Sequence, residues 1–169
     1  MFFGIVVFPQ KHVQDLVNSY RKRYDPHYSL IPPHITLREK FELPDEKVED
    51  AVQKLEEIAK QNKPFTIQFH KVSHFYPTSH TIYLAIKDSK PLETLHNQIS
   101  ASLDPIPMPY DYIPHLTIGQ KMSEEELHDV YGTLRLRQFE LESKIDRFHL
   151  MYQLENGSWS IHQTFLLKK

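Results

Sequence analysis

Hydrophobic and polar positions along the chain alternate between a strand period and a helix period. Phe2 to Phe8 is almost continuously β-branched or aromatic, the pattern of a central strand. From Gln10 to Arg23 the apolar residues are Val13, Leu16, Val17 and Tyr20, the i, i+3, i+4, i+7 stripe that predicts an amphipathic helix. Pro32 and Pro33 break the chain, and His34 to Leu37 alternates as a strand. Pro44-Asp45 opens a second helix with Val48, Val52, Leu55 and Ala59 on one face, and Phe65 to His70 alternates as the next strand. After turn signals at Pro77 to Ser79 the order restarts. Thr81 to Ile86 reads as a strand, and Ser89 as the cap of a helix carrying Leu92, Leu95, Ile99 and Leu103. Pro105, Pro107 and Pro109 break the chain before a strand at Ile113 to Ile118. Ser123 and Glu126 spell a capping box for a short helix bearing Leu127 and Val130, with Gly132 as its predicted end. Phe139 to Tyr152 reads as one long strand or two, and Trp159 to Leu167 closes the pattern.

The chain therefore repeats itself once. Strand, helix, strand, helix, strand fills residues 2–76 and again 81–152, followed by the closing strand at 159–167. The pattern predicts a single bilobal domain over 1–169, of α+β class, with a pseudo-two-fold arrangement and the two repeated strands at a shared cleft. Antiparallel sheets suit the alternating strands better than a doubly wound parallel sheet, and no nucleotide-binding turn follows any strand.

The repeat carries a motif. Pro33-His34-Ile35-Thr36-Leu37 and Pro114-His115-Leu116-Thr117-Ile118 occupy equivalent places, 81 residues apart. In a strand, residues i and i+2 share a face, so each copy presents an imidazole beside a hydroxyl while its Ile and Leu point into the core. A single His-x-Thr means little. Here, however, the polar pair is identical in both copies while the apolar partners vary. Two imidazoles with ordinary pKa near 6.5, one on each side of a substrate, suit in-line displacement at phosphorus. One takes a proton from the attacking oxygen, the other gives one to the leaving oxygen, and the hydroxyls bond the non-bridging oxygens.

Composition narrows the alternatives. With no cysteine, the chain has no thiolate nucleophile, disulfide or Cys-bearing zinc site. Only four glycines and no G-x-G-x-x-G or P-loop mean that phosphates must be held by side chains. The net charge of −2 argues against an extended nucleic-acid surface. No apolar stretch approaches a membrane span, and the apolar N-terminus reads as a strand, which makes the cytoplasm the expected compartment.

With its paired Pro-His-x-Thr motifs, the chain resembles the two-histidine (2H) phosphoesterase superfamily over essentially its whole length. Pro-His-Ile-Thr-Leu-Arg38 and Pro-His-Leu-Thr-Ile-Gly119 are most similar to the YjcG-like branch, beside the LigT-like RNA ligase/cyclic phosphodiesterases. The resemblance implies two antiparallel sheets around a central cleft with helices outside. It also implies hydrolysis of a small phosphodiester, a cyclic nucleotide phosphate or RNA end, without metal or other cofactor. Carried over to this sequence, His34 is the proton donor, His115 the acceptor, and Thr36 and Thr117 bind the phosphate. Two alternatives stand beside hydrolysis: a non-catalytic module binding nucleotide or RNA ends, and 2′-5′ ligation by the same acid–base pair.

Other residues carry weaker signals. Arg38, at i+4 from His34, points the same way if the strand continues and then adds positive charge for a phosphate. Lys121 stands in similar register from His115, but Gly119 and the cap at Ser123 make a solvated cation the better reading. Tyr110 and Tyr112 invite base stacking, although packing of the proline-rich loop explains them more simply. His70 and His74 share a strand face four residues apart, too far for joint ligation without a bulge, and no third ligand recurs. A metal site is therefore not expected. His96 falls beside Leu92, Leu95 and Ile99 as a satisfied core or flanking residue. His12, His27, His80, His128, His149 and His162 follow no pattern.

Overall fold

The computed structural model describes residues 1–105 and 110–169, so the predicted breaks at Pro107 and Pro109 lie outside the described residues. The first half contains β1 (Phe2–Val7), α1 (Lys11–Tyr24), β2 (Ile35–Glu42), α2 (Asp45–Gln61) and β3 (Phe65–His74). The second contains β4 (Ile82–Lys87), α3 (Lys90–Ser102), β5 (His115–Gly119), α4 (Glu124–Leu134), β6 (Leu141–Ile145), β7 (Arg147–Gln153) and β8 (Trp159–Leu166). The order is the predicted one. The ambiguous stretch 139–152 resolves into two strands that turn at Asp146 and join different sheets.

Two local expectations differ. Ser89 does not cap α3 with its side chain: its backbone is not extended, and its hydroxyl donates to Glu93 Oε2 at 2.8 Å. Gly132 does not end α4, which runs on to Leu134. Val130 and Leu134, one turn apart, are both buried, and this packing carries the helix through the glycine. The Ser123 cap forms as expected, its hydroxyl accepting from the Glu126 amide at 3.1 Å.

All paired strands are antiparallel and form two four-stranded sheets, β2-β1-β7-β8 and β5-β4-β3-β6. The α+β bilobal expectation is met, with each motif strand at the edge of its own sheet. By place in the two strand orders, β1 corresponds to β4 and β2 to β5. The same orders also expose an exchange between the two halves of the chain. β3, from the first half, lies in the second sheet beside β4, while β7, from the second half, lies in the first sheet beside β1. The helices cross as well: α1 packs on β5, and α3 packs on β2.

The core faces of the sheets follow from alternation. Ile5, Val7, Ile35 and Leu37 on the first sheet, and Ile82, Leu84, Leu116 and Ile118 on the second, are essentially inaccessible. They pack with Val13 and Val17 of α1 and Leu92, Leu95 and Ile99 of α3. Each such side chain contributes about 1.5–3 kcal/mol by leaving water, which fixes strand register and sends the alternate residues to the opposite face. No helix among the described residues is long and apolar enough to cross a membrane.

Candidate active site

The alternate residues of the two motif strands are His34 with Thr36 and His115 with Thr117. All four are half-buried, whereas Ile35, Leu37, Leu116 and Ile118 between and beside them are buried in the core. β2 and β5 lie against one another although they belong to different sheets. His34 and His115 are near enough that the charge of His115 acts on His34. The contact of β2 with β5 thus brings the two strands that carry the predicted His/Thr pairs against one another.

The two imidazoles are held identically. Nδ1 of His34 lies 2.8 Å from the Pro32 carbonyl, and Nδ1 of His115 lies 2.8 Å from the Ile113 carbonyl, each two residues upstream. A carbonyl only accepts, so each Nδ1 carries the proton and donates it, and each Nε2 is left with its lone pair. The pKa of His34 is lowered to about 4, chiefly by burial; Arg21 and His115 act in the same direction, while the Pro32 carbonyl and Asp25 oppose the shift. The His34 Nδ1–Pro32 contact itself is exposed. Burial also lowers the pKa of His115, against the pull of the Ile113 carbonyl. Phe75 and Tyr83 supply that apolar surface, their ring centroids 4.9 and 5.3 Å from the His115 ring. Both imidazoles are therefore neutral at pH 7, each with a free Nε2 base.

Comparison with known proteins places this arrangement. The family model of the 2′-5′ RNA ligase superfamily matches residues 8–157, a span that includes both motifs. The chain belongs to the 2′-5′ RNA ligase superfamily. Relatives share the full length. A Geobacillus sp. (strain WCH70) protein is 47% identical over 167 residues, covering 99% of this chain and 96% of its own. A Halalkalibacterium halodurans protein is 46% identical over 169 residues, covering 100% and 99%. Both bear the name "Putative phosphoesterase". Among solved structures, E. coli LigT complexed with 3′-AMP has a TM-score of 0.73 at 15% identity, over 99% of this chain and 98% of that one. A Thermus thermophilus protein, TT0787, has a TM-score of 0.72 at 18% identity, over the same shares. These structural likenesses establish the fold.

Around the paired motifs, this superfamily member departs from the expectations for Arg38. Two register shifts between β1 and β2 interrupt the alternation, and Arg38 does not continue the His34–Thr36 face. Its Nη2 donates to the Asp104 carbonyl at 2.6 Å, and its guanidinium lies over the Phe41 ring at 4.3 Å. It is buried, and its Nε has no hydrogen-bond partner among the described residues. Lys121 is exposed with φ of 56°, a left-handed turn that takes it out of strand register. Tyr110 is exposed, whereas Tyr112 packs: it stacks flat on His96 at 3.8 Å and donates its hydroxyl to the Thr36 carbonyl at 2.7 Å. His96 is satisfied, as expected, its Nδ1 donating to the Leu37 carbonyl at 2.8 Å. A bulge at Phe69/Lys71 disturbs the predicted common face of His70 and His74. Among the described residues no three His, Asp or Glu side chains gather as metal ligands.

Two features escape a reading of the sequence. His149 lies opposite Val6, which lies opposite Thr36, so the three form one cross-strand row of the first sheet. It is buried, with Nδ1 2.9 Å from Thr164 Oγ1 and its pKa lowered by burial first and Arg147 second. Alternation in Phe148-His149-Leu150 is the available signal for its orientation. The second feature is a buried ion pair between Arg21 and Asp25, each only 2% exposed. Arg21 falls among the basic residues that end α1, a place that reads as solvated, and only the docking of α1 on β5 buries it.

Proposed function

We propose that this chain is a phosphoesterase that cleaves a small phosphodiester, of the cyclic nucleotide or RNA-end kind, with His34 and His115 as the acid–base pair. The observation that carries the reading is the shared tautomer: both Nδ1 atoms are engaged by backbone carbonyls, which leaves both Nε2 atoms free on two strands that touch. Following the resemblance, His34 donates and His115 accepts. His115 Nε2 takes a proton from water as its oxygen attacks phosphorus. Protonated His34 gives its Nε2 proton to the departing ester oxygen, and the products are an alcohol and a phosphomonoester. Thr36 and Thr117 donate to the non-bridging oxygens, whose charge grows in the transition state. An anionic phosphate between the rings favours the charged imidazole that the acid step needs. Every proton transfer is assigned to a side chain, so the scheme uses no metal ion or other cofactor.

The names of the full-length relatives support ester cleavage, and LigT structures with 3′-AMP, ATP and NADP+ support a small nucleotide as occupant of this fold's cleft. A second reading, ligation forming a 2′-5′ linkage, is favoured by the superfamily description and runs the same proton transfers in reverse. A screen of nucleoside 2′,3′-cyclic phosphates and short 2′-5′ and 3′-5′ oligonucleotides tests both. His34→Ala and His115→Ala should each lower kcat by about 10²- to 10⁴-fold, with chelator leaving wild-type turnover unchanged. Full activity in the double alanine variant would overturn the proposal.

A further inference from the structure

Two sets of contacts cross between the two motif segments, and the proton transfers use neither. The first begins at Arg21. Its Nε donates to Asp25 Oδ2 at 3.1 Å, its Nη1 to Asn18 Oδ1 at 2.8 Å, and its Nη2 to the Ile31 carbonyl at 2.7 Å. Ile31 directly precedes Pro32, whose carbonyl fixes the His34 tautomer. The other Asp25 oxygen accepts from the His27 amide at 2.8 Å and from Gln120 Nε2 at 2.9 Å. Gln120 follows the last residue of β5, and its own amide donates to the Tyr24 carbonyl at 2.9 Å. The approach is close enough to require Gly119, because a Cβ there would stand 2.8 Å from Tyr24 Cβ. The segment leading into the first motif is thereby fastened to the end of the second motif strand.

The second set mirrors the first. Tyr112, three residues before His115, donates to the carbonyl of Thr36 inside the first motif, while its stacking partner His96 holds the next carbonyl, that of Leu37. The segment leading into each motif is thus anchored on or beside the strand of the other. A buried ion pair is an expensive way to stabilise a fold, because removing two charges from water offsets most of their attraction. What this one supplies is position: Arg21 distributes its donors over a helix residue, the Asp25 carboxylate and the loop that carries the His34 acceptor.

We propose that these crossing ties hold the two motif histidines in facing register, with Gln120 and Tyr112 as positioning residues. The proposal rests on the reading of His34 and His115 as the reacting pair. Acid–base transfer at phosphorus needs both Nε2 atoms placed to within a fraction of an ångström, and an error of about 1 Å costs on the order of 10²-fold in rate. Each tie joins the segment leading into one motif to the strand of the other or to the residue just after it, so loosening one shifts one histidine relative to the other without breaking a strand pairing.

Gln120→Ala and Tyr112→Phe test this with small changes, since the first keeps the Arg21–Asp25 pair and the second keeps the ring on His96. Each should lower kcat by about 10- to 100-fold with KM little changed and with wild-type circular dichroism. Arg21→Lys, which keeps the charge but cannot span the same acceptors, should lower kcat in the same way. NMR titration supplies a readout independent of turnover. In Gln120→Ala the His34 midpoint should rise toward 6.5 as the 25–33 segment admits water. Wild-type kcat in both variants, or an unmoved His34 titration in Gln120→Ala, would overturn the proposal. If the wild-type protein cleaves no phosphodiester, the functional reading fails while the titration still decides the ties.

Discussion

A histidine whose Nδ1 donates to a carbonyl has one reactive atom left, and both motif histidines are in that state. Their pKa values set the pH at which the pair can work. For His34 burial brings the value to about 4, and for His115 it moves the value below the ordinary 6.5. The productive free enzyme carries one proton shared between two such groups, a state that becomes rarer by about tenfold for each pH unit above the higher pKa. The pH profile of kcat/KM should therefore be a bell with its maximum below 6.5, and the kcat profile should lie to its alkaline side because bound phosphate favours imidazolium. A kcat/KM maximum above pH 7.5 would contradict this. Stability follows the same sign. The folded His34 binds fewer protons than the unfolded one between pH 6.5 and about 4, so the protein loses stability as pH falls through that window. His34→Gln, which does not titrate, should show a shallower fall in Tm. At this scale the His/Thr pairs are legible in the sequence because alternation alone orients them. Arg38 is not, because alternation fails at a bulge, and Arg21 is not, because its burial depends on which strand its helix meets.

Elements are legible where local rules and packing agree. The Ser123 cap, the apolar stripes of α1 and α2, and the alternation of β3 all act within a few residues, and the structure follows them. α4 shows the opposite case. A glycine near the end of an apolar stripe is a stop signal, yet burial of Leu134 keeps the helix going for two more residues. Gly132 is then an exposed interior helical residue, and a Cβ added there meets no atom within 4 Å. Alanine at this position removes backbone freedom from the unfolded chain without creating a clash. Gly132→Ala should therefore raise stability by about 0.4–1 kcal/mol, seen as a higher denaturant midpoint at unchanged m-value. A destabilised variant would mean that α4 ends at residue 132 in solution.

At the scale of the whole molecule the repeat in the chain and the repeat in space do not coincide. Pattern reading divides the sequence near residue 80, but the sheets exchange β3 and β7, and α1 and α3 each pack on a motif strand from the other half of the chain. Periodicity cannot show this, because an apolar strand face is equally satisfied by either sheet; only pairing chooses between them. The exchange has a thermodynamic consequence. Neither half of the chain can complete a four-stranded sheet alone, since each sheet takes strands from both. Unfolding one lobe would leave a strand edge and an apolar helix face of the other open to water, at a cost comparable to total stability. The two lobes should therefore unfold in one transition. Trp159, the only tryptophan, reports on the β8 edge of the first sheet, and amide exchange of Leu84 in β4 reports on the centre of the second. Denaturation followed by Trp159 fluorescence should give the same free energy of unfolding as the slow exchange of Leu84. A Trp159 transition complete while Leu84 stays protected would show lobes that fold independently, and would mean that the exchanged strands do not couple the two sides of the cleft.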